Sequence, residues 1–343
     1  MKGLLVFEDG AKFEGLSFGD ESPRTGEVVF TTGMVGYPES LTDPSYQGQI
    51  LIMTYPFIGN YGVPDKTHWE SDSIKVSGLV VSNYIDTPSH FQSKMTLSSW
   101  LKMEKIPALE IKDTRMLTKK IRDQGTMLGK IIFDKDIPFI DPDKKNFVRE
   151  VSTKSIIEEG KGKKTVLVID CGVKKNIITQ LLKRNIKVIT VPWDYNPFQE
   201  KIPFDGIIIS NGPGDPKAIP ATINIVKKAL DNKIPTFGIC MGNQILTLAS
   251  GGDTYKLKFG HRGQNQPCVL VNTNRCYLTT QNHGFAVNKI PVGFRHWFTN
   301  ANDNTNEGII HEKFPFMSVQ FHPEAAPGPT DTGWIFDYFL EKI

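Results

Sequence analysis

From about residue 163 onward, strand-like and helix-like stretches alternate, and this alternation restricts the fold more than any other feature of the sequence. KKTVLVID (163–170) is a short apolar run ending at an acid, VKKNIITQLLKR (173–184) carries apolar residues at helical spacing, and NIKVITV (185–191) is strand-like again. FDGIIIS (204–210) reads as a buried strand and Pro220 to Asp231 as a helix. IPTFGI (234–239) is one more strand, and GNQILTLAS (242–250) follows it as a helix. Such a series predicts an α/β domain built on a mainly parallel sheet with helices on both faces. Active sites in such sheets lie beyond the carboxyl ends of the strands.

The first 150 residues lack this alternation. LLVFEDG, EVVFTTGM and KVSGLVVSNY are short strand-like pieces broken by glycine and proline, whereas QSKMTLSSWLKM (92–103) and TRMLTKKIRDQG (114–125) are more helical. A mixed α+β domain over 1–150 is expected. The charged, glycine-containing EEGKGKK (158–164) suits an exposed boundary, so 151–162 reads as a linker and 163–343 as the second domain. No internal repeat is evident.

Bulk properties exclude several classes of function. In 343 residues, 40 basic and 37 acidic side chains leave a formal charge of only +3, which gives no electrostatic footprint for nucleic acid. No run of about 18 apolar residues and no signal-peptide pattern occurs, so a soluble cytoplasmic protein with no membrane contact is expected. The four cysteines, at 171, 240, 268 and 276, contain no CxxC pair, and the seven histidines show no HExxH or ligand-spaced cluster. Disulfide stapling and bound metal are therefore not expected.

One cysteine stands apart. Cys240 lies in GICMGNQ, between an apolar strand and a helix, with Gly238 and Gly242 leaving room for a sharp turn. A helix N-terminus directs N–H groups and partial positive charge at such a residue, which favours thiolate over thiol. This is the pattern of a nucleophile elbow with sulfur in place of a serine oxygen. FMSVQFHPE (316–324) supplies a base. An apolar strand delivers His322, and Glu324 two residues on faces the same way in an extended segment that Pro323 favours. Cys240, His322 and Glu324 thus form a nucleophile, base and orienter set. The N–H of Met241 and the glycine-rich SNGPGDP (210–216), with Gly212 and Gly214, are the expected oxyanion donors. No GKS or GKT follows that loop, so it is not a phosphate loop. QNHGFAV (281–287) suits a substrate lining. KFGHRGQNQP (258–267) and LTDPSYQGQ (41–49) read equally well as surface loops or as parts of a site.

Taken together, GICMGNQ, SNGPGDP and FHPE resemble a class I glutamine amidotransferase domain. LTDPSYQGQI, YPFIGNYG, KDTRMLTKKIRDQGTMLG, KFGHRGQN, TTQNHGFAV and FHPEAAPGP, in this order, are similar to the small subunit of carbamoyl phosphate synthases, over nearly the whole chain. The resemblance implies that Cys240 forms a glutamyl thioester and that His322, supported by Glu324, shuttles the proton. It implies that Ser45, Gly212, Gly214, Met241, Gln244, Asn282, Gly284 and Phe285 hold L-glutamine, with the N–H groups of Gly212 and Met241 as the oxyanion hole. It further implies a heterodimer with a large subunit that uses bicarbonate, ammonia and two ATP, possible higher assembly of heterodimers, supply of arginine and pyrimidine synthesis, and no cofactor on this chain. Asn243, Arg262 and Ala326 depart from the commonest family forms, histidine being usual at 243. The alternatives are an amidotransferase serving GMP, CTP or anthranilate synthesis, a cysteine peptidase of related fold, and a non-enzymatic interaction subunit. The first would share the elbow but not the amino-terminal half, the second would need an open groove, and the third would not hydrolyse glutamine.

Overall fold

The computed structural model describes residues 1–200 and 202–343. It divides into two compact units, Met1–Lys145 and Asn146–Ile343. The division falls five residues before the expected break at 150. Residues expected as linker belong to the second unit, where Ile157–Glu159 adds an antiparallel edge strand to Lys187–Pro192.

The first unit is built on a closed barrel, in the order Lys2–Phe7, Lys12–Ser17, Ala108–Glu110, Gly78–Val81, Gln49–Met53, Arg24–Thr31 and Met127–Ile132, the last pairing back with the first. Closure leaves no sheet edge to protect, which suits strands this short. The helix Thr114–Gln124 coincides with the helical stretch seen in the sequence, and Asp113 caps it by accepting from the Met116 N–H at 2.8 Å. The other helix begins later than its sequence pattern, at Leu97, because Thr96 accepts from the Ser99 N–H and sets the first turn there. Its Trp100 packs on Trp69 with ring centroids 4.6 Å apart, in a core shared with Leu51, Leu79 and Val81.

The second unit holds a ten-stranded sheet. Its centre is parallel, in the order Phe316–Val319, Thr236–Ile239, Gly206–Ile209, Thr165–Asp170 and Lys187–Pro192. The period of two along each strand decides which helices cover which face. Val166 and Val168 pack with Ile177, Leu181, Phe336 and Phe339, from the helices Lys175–Lys183 and Trp334–Leu340. Leu167 and Ile169 pack on the other side with Val226, Ala229, Ile245 and Leu246, from Pro220–Asp231 and Met241–Ala249. Beyond Phe316–Val319 the sheet turns antiparallel through Asn306–His311, Phe294–Asn300, Asp253–Leu270 and Cys276–Lys289. Residues 258–267 are therefore part of a long strand and not a surface loop, with His261 and Arg262 buried against Cys276–Lys289. Nor is 41–49 a surface loop, since Asp43, Ser45 and Tyr46 are buried around the turn Pro44–Tyr46.

Candidate active site

Cys240 follows the strand Thr236–Ile239 and precedes the helix Met241–Ala249, with φ 56° and ψ −104°. A non-glycine residue holds such a conformation only where its surroundings impose it. Here its N–H is tied to the Val319 carbonyl at 2.8 Å, and its own carbonyl accepts from the Asn243 N–H at 3.0 Å. The two glycines make the turn possible. A Cβ on Gly238 would meet the Gly242 carbonyl oxygen at 2.3 Å, and one on Gly242 would meet the Ile209 oxygen at 2.1 Å. The first N–H groups of a helix have no acceptor within it, so that of Met241 is available beside the sulfur.

His322 is delivered by the exit of Phe316–Val319 and anchored by its own N–H to the Thr280 carbonyl at 2.9 Å. Its Nδ1 lies 2.6 Å from Glu324 Oε1, but the segment expected to be extended is a turn, with the Ala325 N–H donating to the His322 carbonyl at 3.2 Å. The opposite nitrogen, Nε2, is buried and makes no hydrogen bond of ordinary length to any described residue. Burial works against a charge on this ring, but the Glu324 carboxylate and then the Cys240 sulfur outweigh it and raise its pKa to about 10. The imidazole is thus held by an oriented carboxylate on one side and faces sulfur on the other.

Two residues of this site escaped the sequence reading. Lys174 is almost fully buried, and its Nζ lies 3.2 Å from Glu324 Oε1 and donates to the Ala325 carbonyl at 2.6 Å. Burial would raise the Glu324 pKa, yet the Lys174 ammonium and then the His322 charge lower it to about 2. Asn176 also donates to the Glu324 carbonyl. Gln320 is the second residue. Its Nε2 donates to Cys240 Sγ at 3.8 Å, while its Oε1 accepts from Asn243 Nδ2 at 3.0 Å and Gln244 Nε2 at 3.2 Å. The spacing of two between Gln320 and His322, at the exit of the same strand, was the signal that the sequence reading passed over. Lys174 had no local signal, because only the packing of residue 324 upon it explains why an ammonium is buried there. Asn243, the departure from family form, is wholly buried and accepts from Ser318 Oγ at 2.7 Å, so it braces Gln320 from behind.

The remaining expected residues divide by unit. Asn282 presents its carbonyl to Cys240 Sγ at 3.8 Å, and the Phe285 carbonyl accepts from Gln244 Nε2 at 2.8 Å, which draws the segment 282–285, with Gly284, toward the elbow. Gly212 approaches so closely that a Cβ there would sit 2.1 Å from the Cys171 oxygen and 3.1 Å from Met241 Sδ. Gly214, two residues on, has φ +84°. Ser45 belongs to the amino-terminal unit, where its N–H donates to Asp43 Oδ1 at 2.9 Å. A thiol at a strained elbow, an oriented imidazole, backbone donors and side-chain amides are the components of acyl transfer through sulfur.

Comparison with known proteins agrees with this class of site. Residues 167–342 match the profile of the family described as glutamine amidotransferase class-I, so fold and site define an amidotransferase. Residues 5–131 match that of the carbamoyl-phosphate synthase small chain, CPSase domain. The carbamoyl phosphate synthase small chain of Pyrococcus furiosus is 47% identical over 365 aligned residues, covering 100% of this chain and 98% of that one. The chain therefore belongs to the carbamoyl phosphate synthase small-chain family of glutamine amidotransferases. Longer relatives include the mouse mitochondrial carbamoyl-phosphate synthase [ammonia], 50% identical, and the multifunctional protein CAD of Squalus acanthias, 51% identical. The chain is covered to 99% and 98% in these matches but spans only 23% and 16% of those two proteins. No helix among the described residues is long and apolar enough to cross a membrane.

Proposed function

We propose that this chain hydrolyses L-glutamine through a Cys240 thioester and passes the ammonia to a carbamoyl phosphate synthase large subunit. The observation that carries the reading is the buried series Lys174, Glu324, His322 ending in an imidazole nitrogen turned toward the elbow sulfur. His322 takes the thiol proton, and the sulfur attacks the side-chain amide carbon of glutamine. The carbon–sulfur bond forms, and the oxyanion draws on the N–H groups of Met241 and Gly212, each such donor supplying about 10²–10³ in rate. The imidazolium then protonates the departing nitrogen, the carbon–nitrogen bond breaks, and ammonia leaves. Water gives a proton to His322 and attacks the thioester, and glutamate is released with the sulfur restored. Gly214, Gln244, Asn282, Gly284 and Phe285 hold the substrate. None of these steps calls for a cofactor on this chain.

In this reading the large subunit consumes the ammonia with bicarbonate and two ATP, the pair works as a heterodimer able to assemble further, and its carbamoyl phosphate serves arginine and pyrimidine synthesis. The four cysteines are free, which suits a reducing compartment such as the cytoplasm. The test is ammonia release from glutamine by the purified chain, alone and with a large subunit, bicarbonate and ATP. Partner-stimulated hydrolysis coupled to carbamoyl phosphate, abolished by Cys240→Ser, is expected. Hydrolysis indifferent to that partner would overturn the synthase assignment, and none from well-folded protein would overturn the glutaminase itself.

A further inference from the structure

The antiparallel part of the sheet gathers a second cluster that glutamine hydrolysis does not use. His261 and His283 are directly opposed across Asp253–Leu270 and Cys276–Lys289, with ring centroids 5.0 Å apart. Glu307, on Asn306–His311, is completely buried beside them. One donor atom from each of the three lies within 4.8 Å of the others. His261 Nδ1 is 3.3 Å from Glu307 Oε1, and His283 Nε2 is 3.9 Å from the same oxygen.

The hydrogen bonds around the cluster leave lone pairs aimed at oxygen. His283 Nδ1 lies 2.8 Å from the Phe285 carbonyl, which only an N–H there satisfies. Its Nε2 lone pair then faces Gln281 Oε1 at 3.2 Å and Glu307 Oε1, both acceptors. Turning the Gln281 amide over does not help, because its Nε2 donates to Glu307 Oε2 at 2.9 Å. His261 repeats the pattern. Its Nε2 is 2.9 Å from Asp303 Oδ2, which leaves Nδ1 toward Glu307.

We propose that His261 Nδ1, His283 Nε2 and one oxygen of Glu307 bind a divalent transition-metal ion of the zinc class. Two imidazoles and a carboxylate are a common donor set for such ions. The outer partners are those that fix metal-bound histidines, a carboxylate on the distal nitrogen of His261 and a backbone carbonyl on that of His283. The charge closes as well, because two positive charges balance Glu307 and Asp303 with both rings neutral. Tetrahedral ligands on bonds of about 2 Å stand about 3.3 Å apart. The His261–Glu307 pair already has that spacing, and His283 must approach by about 0.6 Å toward Glu307 and by up to about 1.5 Å toward His261. Such an ion ties three strands together under Asn282, Gly284 and Phe285, so its role is to hold that segment rigid. The binding itself stands apart from the glutaminase reading.

The experiment strips the purified full-length chain with a chelator, exchanges it into Zn²⁺ or Co²⁺, removes the excess, and measures bound metal and the visible spectrum of the cobalt form. One equivalent per chain is expected, with cobalt d–d bands and no thiolate-to-cobalt charge-transfer band. Cys240→Ser should keep it, and Glu307→Gln and His261→Asn should lose it, with folding followed by circular dichroism. Folded wild-type protein that holds no metal overturns the site, as does metal lost in Cys240→Ser or a spectrum showing thiolate ligation. Those wild-type readings decide the matter even if the Glu307 or His261 variants fail to fold. Metal retained by either of those variants when folded also overturns it.

Discussion

The ion pair under the His322 imidazole makes the sharpest test of the site's electrostatics. Lys174 Nζ and Glu324 Oε1 are 3.2 Å apart with their side chains 2% and 0% exposed. Removing Glu324 strands the Lys174 ammonium in the interior, and removing Lys174 leaves the Glu324 carboxylate with His322 as its one charged partner, each at a cost of about 3–5 kcal/mol, whereas removing both strands neither. Lys174→Met and Glu324→Gln should each destabilise the protein by that amount, which for a unit of this size is a fall in Tm of about 10 °C. The double variant should be less destabilised than the sum, with a coupling of about 2–3 kcal/mol. Thermal and urea unfolding of the four proteins at pH 7 closes the cycle. The variants also differ in activity. Glu324→Gln deprives the imidazole of the carboxylate that raises its pKa toward 10, so ammonia release should fall by about 10²-fold or more and the pH profile should move. Lys174→Met leaves a carboxylate at Nδ1 and should lose less. Additive stabilities within about 0.5 kcal/mol, or a Glu324→Gln enzyme with an unchanged pH profile, would refute the reasoning.

Three further outcomes are expected. Because the His322 pKa is raised to about 10, its contribution to stability is complete below its ordinary value of 6.5 and is lost as pH rises from there toward 10. Glu324, lowered to about 2, contributes above its ordinary 4.5 and loses this as pH falls toward 2. Urea midpoints across pH should therefore show both limbs, and Glu324→Gln should shrink both; an alkaline limb unchanged in that variant would contradict the assignment. Gln320→Leu removes the amide on Cys240 Sγ and the acceptor for Asn243 and Gln244, so kcat should fall by about tenfold or more while a glutamate analogue still binds; wild-type kcat would dismiss Gln320 as a positioning residue. Gly212→Ala forces a Cβ to within 2.1 Å of the Cys171 oxygen, and displacement of that loop should cost at least about 10² in kcat/KM. An active, unshifted variant would remove Gly212 from the oxyanion site.

Much of the second unit was legible because its elements are encoded locally. Apolar runs and helical spacing marked its parallel strands and helices, and the glycines about Cys240 marked the elbow that the backbone adopts at φ 56°. The His322–Glu324 contact was anticipated from their spacing of two, although the chain turns there and is not extended, and Gln320 was missed. Strand pairing over long separations is not written in any window of the chain. The barrel of Met1–Lys145 was foreseen only as short strand-like pieces, since closure depends on which distant strands meet. The stretch at 41–49 and the residues around His261 and Arg262 in 258–267, ambiguous by composition, proved buried for the same reason.

Local pattern thus determined the α/β class of the second half, the elbow at Cys240, and the placing of His322 and Glu324 at the exit of one strand, because each depends on residues within a few positions of one another. Tertiary structure decided that Lys174 is buried beneath Glu324 and that His261, His283 and Glu307 share one pocket of the sheet. Burial and cross-strand register arise from packing between segments tens of residues apart or more, and a lysine or histidine carries no mark of it in its own neighbourhood.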